Sequence, residues 1–517
     1  MSIKSWESLN LEELCTIKTG DKDANEGNVN GKYPFFTCAQ DISYSDDYSF
    51  DGQSILIAGN GNFNVKKFDG KFEAYQRTYV LQDLKVDFRY LYYYILGKLP
   101  EITKGNRGST IRYIRIGDIA NYPVPFPSFS EQNRIVDKIE TLFSEVDAGI
   151  ANLTLAKRQL EQYRQSLLKH AFEGKLTAKW RAEYIVKYGK ALPSADELLE
   201  QIQTARQDYY DQQITDWEQA VKDWEEQGKE CRKPSKPSKP YLDKLATHSE
   251  NQLLIPLGSI IEQPKYGTSK KCTYDQSQNS IGVIRIPNIN SNGLIDLTDM
   301  KFAEFDNDEV YEYKLEKDDL LIIRSNGSPS IVGRCAVVNE KDLTYIYAGY
   351  LIRLRPIKSL IDSDFLNLAL KSVKLRSEIE NKAKSTSGVN NINAKEIQSL
   401  ELPYFDMLEQ TRIVETVLPK IQLIENQLND IDIALRKSDI LKQSILYKAF
   451  QGKLVPQDPN DPPASELLAQ IQAEREAKAL AEKQAKQDKA ASKSKAKTKS
   501  AKTPKKSKKD EQITLPL

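Results

Sequence analysis

Residues 131–136 read EQNRIV and residues 409–414 read EQTRIV. Aligned on Glu131 and Glu409, the two stretches run without a gap to Leu176 and Leu454. Those 46 positions hold 15 identities, among them Arg134/Arg412, Ile135/Ile413, Arg158/Arg436, Gln165/Gln443 and Ser166/Ser444. Both end almost identically, AFEGKL at 171–176 and AFQGKL at 449–454. Going backward, Pro125 meets Pro403, Ile119 meets Ile397 and Ile114 meets Ile392. A second echo follows: PSADELLEQIQ (193–203) matches PPASELLAQIQ (462–472) at eight of eleven positions. The chain reads as one unit written twice.

The repeated block has the period of a helix. In the first copy, apolar residues fall at Ile135, Ile139, Leu142, Val146, Ile150, Leu153, Ala156, Leu160, Tyr163 and Leu167. Steps of three and four give a long helix with a single apolar stripe. The second copy repeats it at Ile413, Val417, Ile424, Leu428, Ile431, Ala434, Leu441 and Ile445. About 45 helical residues span ~68 Å, and so long a stripe needs cover. The economical cover is the other copy, in a pair of coiled-coil type. A pseudo-twofold between the halves would make that pair antiparallel. Lys420 and Ser438 replace Leu142 and Leu160, so the seam is imperfect. Pro419 inside the second copy predicts a kink or restart. Gly174 and Gly452 each follow the last apolar turn, as helix termination favours.

Bulk composition narrows the function classes. With 517 residues the chain is long enough for two to four domains of ~100–200 residues. Apolar residues are 39% and charged residues 28%, which suits a globular protein with helical surface. No apolar run nears the ~20 residues of a membrane helix, so no membrane association is expected. MSIKSWESLN carries no secretory h-region, which predicts a cytoplasmic protein. Cysteines at 15, 38, 231, 272 and 335 are odd in number and lack a CxxC, so neither a disulfide framework nor a zinc site is signalled. His170 and His248 have no partners at metal or triad spacing. No metal site is predicted. Net charge is +1, yet residues 486–509 alone carry a net +10, leaving the rest near −9. A nucleic-acid reading must therefore rest on local patches.

The fold class expected is α+β: two mixed α/β globules and two long antiparallel helices forming a coiled coil, related by internal duplication. The boundaries read as a first globule at 1–127, a long helix at 128–180 and a helical extension with a Pro/Lys linker at 181–245. A second globule follows at 246–406, a second long helix at 407–455, and a helix with a basic, disordered tail at 456–517. β-forming runs mark the globules, GQSILIAGNGNF (52–63) and AYQRTYVL (74–81) in the first. The second has GVIRIPNI (282–289), DDLLIIRSNGS (318–328), GRCAVV (333–338) and YAGYLIRLRP (347–356). Short helices are expected at 88–97 and 364–381. Between matching elements the loops differ: GNRGSTIRYIRI (105–116) stands opposite STSGVNNINA (385–394). Two related tasks with different specificity are implied.

At this point the chain resembles the specificity subunit of type I restriction–modification systems. PSFSEQNRIVDKIETLF and YFDMLEQTRIVETVL carry the resemblance, with the helices ending AFEGKL and AFQGKL and the run STSGVNNINAKEIQSLELP. DDLLIIRSNGSPSIVGR resembles that family's recognition-domain strand and loop. The likeness covers roughly 1–180 and 246–460. It implies that each globule is a target recognition domain reading one half of a bipartite, asymmetric site in double-stranded DNA. The helices would be the spacer and would dock two methyltransferase (modification) subunits, with two motor/restriction subunits joining them. It further implies that this chain catalyses nothing and binds no cofactor, S-adenosylmethionine, ATP and Mg belonging to the partner subunits, and that it serves phage defence through DNA methylation and restriction.

Base reading needs Arg, Lys, Asn or Gln on exposed loops, and phosphate contacts need Lys, Arg and backbone N–H groups. In the first globule the candidates are Asn60, Asn62, Asn64, Lys66, Lys67, Arg77, Arg107 and Arg112. Turn chemistry is the rival explanation for the asparagines, and a solvated pair for the lysines. Arg107 and Arg112 flank Gly108, Ser109 and Thr110, which favours DNA there. In the second globule they are Arg324, Ser325, Asn326, Ser328, Arg334, Lys382, Lys384, Ser385, Thr386, Ser387, Asn390 and Asn391. RSNGS could be a plain β-turn, but Arg324 and Arg334 on either side favour a reading loop.

Catalytic signatures are weak. No GxxxxGK[ST] occurs. Asp461-Pro462-Pro463-Ala464 lacks the aromatic fourth residue that an adenine methyltransferase uses to stack a flipped base, and reads as a helix start. Asp83-Leu84-Lys85 with Glu73 only faintly resembles a metal nuclease. KPSKPSKP (233–240) is a polyproline-like spacer. The acidic, aromatic stretch 193–230 is expected to be helical, as a solvated face or a docking surface. The alternative function is a non-catalytic coiled-coil scaffold with two protein-binding globules.

Overall fold

The structure is a computed structural model that describes residues 6–226, 233–239, 247–249, 252–290, 293–384 and 388–499. The chain divides into two units, each assembled from stretches of both repeats. One comprises Met1–Ala151 with Leu435–Leu517, the other Asn152–Ala434. Both divisions fall inside the long helices, Phe129–Phe172 and Met407–Ala449.

In the first unit, a four-stranded antiparallel sheet runs in the order Thr16–Thr19, Thr78–Gln82, Ser54–Ala58, Val65–Phe68. Ser54–Ala58 (SILIA) is buried at every position, as befits a central strand rich in apolar and β-branched residues. A second sheet, Ser43–Ser45, Tyr33–Phe36, Glu73–Ala74, joins its last two strands in parallel. The helix Phe88–Ile102 starts where the Asp87 carboxylate accepts from the N–H groups of Arg89 and Tyr90, both at 2.9 Å. Its Tyr90 and Tyr94 pack edge-on against Phe450. Ile135, Ile139 and Leu142 from the first long helix join Ile445, Leu446 and Ala449 from the second in one core, closed by Ile471 of the trailing helix Ala464–Lys499.

The second unit repeats this plan with its own residues. Its four-stranded sheet runs Lys265–Tyr266, Leu351–Leu354, Leu320–Ile323, Cys335–Val337. Its three-stranded sheet, Lys301–Glu304, Ser280–Ile284, Ile346–Tyr347, again ends in a parallel pair. Asp362 caps the helix Ser363–Leu370 by accepting from Phe365 N–H at 2.9 Å. Leu167, Leu168 and Ala171 of the first long helix share a core with Ile413, Val417 and Ile424 of the second and with Ile202 of the helix Ala195–Glu226. The second echo in the sequence thus has one role: Ile202 of PSADELLEQIQ and Ile471 of PPASELLAQIQ are buried at matching positions.

The helix pairing is antiparallel. Within the second unit Lys157 pairs with Asp432 at 2.6 Å and Arg164 with Glu425 at 3.1 Å, so seven residues forward on one helix is seven backward on the other. The first unit holds the repeat-related counterpart of the latter pair, Lys442 with Asp147. Two expectations need correction. The second helix runs unbroken from Met407 to Ala449 through Pro419, with no restart. Tyr163 and its repeat counterpart Leu441, both assigned to the apolar stripe, are 52% and 49% exposed. Both long helices end as expected on left-handed glycines, Gly174 (φ +66°) and Gly452 (φ +68°). Lys175 N–H reaches His170 O at 3.0 Å and Lys453 N–H reaches Lys448 O at 2.9 Å, with the glycine N–H groups on Ala171 O and Ala449 O. This is the Schellman pattern.

EQNRIV and EQTRIV are the joints between helix and globule. Gln132, fully buried, donates from Nε2 to Pro127 O at 2.9 Å and accepts Asp87 N–H at 2.9 Å. Gln410, equally buried, donates to Phe405 O (2.8 Å) and Leu360 O (3.0 Å) and accepts Asp362 N–H at 3.0 Å. Each glutamine thereby holds the aspartate that caps the globule's helix. Such a buried amide is worth its place because backbone groups left unpaired cost about 1–3 kcal/mol each. The following isoleucines, Ile135 and Ile413, are fully buried. The stretch 456–517 was expected to be a helix followed by a basic, disordered tail. Its backbone is helical to Lys499, and residues 500–517 lie outside the described residues.

Candidate nucleic-acid interface

The loops that the sequence singled out gather at one end of each four-stranded sheet. In the first unit, the chain leaving Ser54–Ala58 is clamped on two sides. Gly59 N–H donates to Arg77 O at 2.8 Å, and Gly59 O accepts Ile114 N–H at 2.9 Å. Asn60 pairs with Tyr113, and Gly61 N–H donates to Arg112 O at 2.8 Å. Glycine is required at 59, where a Cβ would lie 2.4 Å from Arg77 O. Gly108 (φ +96°) turns the facing loop 107–113 so tightly that a Cβ would meet Ile111 O at 2.2 Å.

The second unit makes the same bonds from different residues. Arg324 N–H donates to Tyr350 O at 2.9 Å, and Arg324 O accepts Ile392 N–H at 2.8 Å. Ser325 then pairs with Asn391 and Asn326 with Asn390, in an antiparallel ladder. Matching the bonds equates Gly59 with Arg324, Asn60 with Ser325, Arg77 with Tyr350, Arg112 with Asn390 and Tyr113 with Asn391. The repeat pair Ile114/Ile392 occupies the corresponding place in each.

The candidates divide by what their side chains do. Asn62, Arg77 and Arg112 are exposed at the rim of the first unit, and the two arginine side chains form no hydrogen bond or ion pair among the described residues. Asn64 is committed inward: its amide donates to Cys38 O and Asn62 O, both at 2.9 Å, and its Oδ1 accepts from Lys66 Nζ at 2.7 Å. Lys66 Nζ also donates to Ala39 O at 2.6 Å, and burial holds its pKa below the usual lysine value. Lys67, one residue on, points to the other face of the strand, over the rings of Tyr92 and Tyr93 at 5.0 and 5.3 Å. Arg107 forms an ion pair with Asp118 at 2.7 Å, and that hydrogen bond holds the Asp118 carboxyl below the usual range. Asp118 also accepts Arg115 N–H, so Arg107 braces the loop from beneath.

In the second unit the ladder brings Arg324, Ser325, Asn326, Asn390 and Asn391 together. Asn390 donates to Gly327 O at 3.1 Å, and Asn326 Oδ1 accepts Ser328 N–H at 2.9 Å. Ser328 and Ser330 hydroxyls share a 3.0 Å bond. Arg334 turns away, donating to Ser330 O and lining a cavity of about 430 Å³ with Lys371, Arg376 and Glu425. Lys382 pairs with Glu378 and Ser399, and Lys384 donates to Asn381. Ser385, Thr386 and Ser387 lie outside the described residues. Sequence reasoning passed over Tyr266 and Tyr350, the latter 63% exposed at the ladder. Only the tertiary fold delivers them there, Tyr266 from the two-residue strand Lys265–Tyr266 and Tyr350 from the residue before Leu351–Leu354.

The weak catalytic signatures have internal uses. Asp83 accepts from Thr16 Oγ1 at 2.8 Å, and buried Glu73 accepts from Ser49 Oγ at 2.8 Å. Asp461 pairs with Arg134 at 2.5 Å ahead of the helix that begins at Ala464. Among the described residues no helix is long and apolar enough to cross a membrane.

Residues 3–154 match the family model of the type I restriction modification DNA specificity domain. The chain is 43% identical over 178 residues to the EcoDI specificity subunit of Escherichia coli, covering 34% of this chain and 40% of that one. It is 27% identical over 391 residues to the EcoKI specificity subunit of Escherichia coli strain K12, covering 73% and 69%. To the EcoBI specificity subunit of Escherichia coli it is 26% identical over 510 residues, covering 92% and 93%. Thus the chain spans two fifths of the EcoDI subunit and nearly all of the EcoBI subunit. A chain solved in a study of the assembly and conformational transition of the type I R-M system shares the fold, at TM-score 0.54 and 15% identity over 87% of this chain and 99% of that one.

Proposed function

We propose that this chain, which belongs to the type I restriction–modification specificity family, is the sequence-reading subunit of its complex, each unit reading one half of a bipartite, asymmetric duplex target. One observation carries the reading: the same loop-bearing end of a sheet is built twice with matching backbone bonds, while the residues presented at matching positions differ. Constant backbone with variable side chains is what two readers of unlike half-sites require. The long helices, each with residues in both units, serve as the spacer and as the dock for two modification subunits and two motor subunits. Transfer chemistry belongs to those partners with their S-adenosylmethionine, ATP and Mg. This chain contributes position.

The test is methylome sequencing of a host from which the chain is deleted. Methylation is expected to vanish at one split, asymmetric motif, and an unchanged methylome overturns the reading. Exchange of residues 246–406 for those of a relative is expected to change one half-site and leave the other. A scaffold with two protein-binding globules predicts instead no retention of duplex DNA, even with partner subunits present.

A further inference from the structure

Arg324 is held ready without being used up. Its backbone is fixed on both sides, by Tyr350 O and by Ile392 N–H. Its Nε donates to Asn391 Oδ1 at 3.2 Å, and its guanidinium lies 4.8 Å from the centroid of the Tyr266 ring. Tyr266 is itself anchored: its backbone pairs with Ile352, and its hydroxyl accepts Ala394 N–H at 3.0 Å. The two terminal nitrogens of Arg324 form no hydrogen bond among the described residues. The guanidinium is thus held by the ring and by one bond at its inner nitrogen, while its outer donors stay available.

We infer that Arg324 reads a guanine in the half-site of the second unit, with Tyr266 and Asn391 as positioning residues. Guanine presents O6 and N7 side by side in the major groove, and the arginine fork is the side chain that matches both. A phosphate can be met by a charge from many approaches, whereas a bidentate base contact also needs the fork held at the base edge. The bonds that equate Arg324 with Gly59 leave no such fork at the matching position of the first unit, so the assignment concerns one half-site only. This inference rests on the proposed function and sharpens it to one residue and one base.

The experiment compares methylomes of hosts carrying wild-type chain, Arg324→Lys, Tyr266→Leu and Tyr266→Phe, each with its native modification subunits. Wild type establishes the split motif, and failure there is failure of the general reading. The half-site changed by exchange of residues 246–406 is expected to contain a G·C pair. Arg324→Lys is expected to relax that position alone, by roughly 5- to 150-fold in discrimination. Tyr266→Leu is expected to relax the same position more weakly, and Tyr266→Phe, which keeps the ring, to retain it. If Arg324→Lys abolishes methylation, selection from a randomised duplex library by the purified complex decides. Relaxation of one column supports the inference. An unchanged motif, or a uniform loss across all columns that in Arg324→Gln comes with a salt slope smaller by about one, marks a phosphate contact and overturns it.

Discussion

The loop edge of the first unit and that of the second are one backbone with two vocabularies. Gly59 and Arg324 make the same pair of ladder bonds, yet one cannot tolerate a Cβ and the other carries the largest cationic side chain. The first unit presents Arg77 and Arg112 as free guanidiniums, while the second presents Asn390 and Tyr350 at the matching places. The difference teaches where duplication was held and where it was released. Buried amides, caps and glycine termini repeat, while the side chains presented at the rim diverge.

The comparison is most readily broken at the glutamine joints. Gln410→Leu removes three bonds and is expected to cost about 3–5 kcal/mol, and Gln132→Leu removes two and is expected to cost about 2–4 kcal/mol, from the usual penalty per unpaired buried group. Hydrogen-exchange mass spectrometry separates the units: Ser363–Leu370 should exchange faster in the first variant, and Phe88–Ile102 in the second. Equal effects on both helices in either variant would break the assigned symmetry.

Next comes Gly59→Ala, which forces a Cβ against a backbone oxygen and is expected to cost about 1–3 kcal/mol. Gly61→Ala has open space and only its φ of +69° against it, so about 1 kcal/mol is expected. Urea unfolding of both variants checks the order. A smaller contrast lies in the repeat-related ion pairs. Glu425 is 8% exposed and its partner Arg164 half-buried, so Glu425→Gln is expected to cost about 1–3 kcal/mol. Asp147 is 59% exposed, so Asp147→Asn is expected to cost less than about 1 kcal/mol.

The smallest effect is confined to acid. Asp118 is held below the usual carboxylate range by its hydrogen bond with Arg107. Its contribution is therefore present above the unfolded value of about 4 and lost as pH falls through the lowered folded value. Hydrogen exchange across 107–118 should accelerate in that window, and Arg107→Gln should remove the dependence. The second unit has no equivalent pair at its ladder among the described residues, and Asn390 and Asn391 do not titrate, so no such change is expected there.

Much of the architecture was legible because it repeats. Periodicity from Ile135 to Leu167 marked the long helices, and Gly174 and Gly452 marked their ends. Pro419 does not restart the helix, because tertiary packing of Val417, Ile421 and Ile424 carries it past the missing N–H. At the loops, residue type alone could not separate Arg112, which faces outward, from Asn64 and Lys66, which are held by the carbonyls of residues 38 and 39 far away in sequence. The placement of Lys67 was more readable, since strand alternation already sets it on the face opposite Lys66. Tyr266 as a platform for Arg324 was invisible, because 58 residues separate the two.

Division of the chain inside its long helices sets an order of synthesis. Everything in the second unit has left the ribosome by Ala434, whereas the first unit waits for Leu446, Phe450 and Ile471 to close over Tyr90 and Tyr94. At translation rates of about 5–20 residues per second, its opening 151 residues stand unfinished for roughly 15–65 s. The half begun first is completed last, and its apolar seam is what a growing polypeptide must shelter in the meantime.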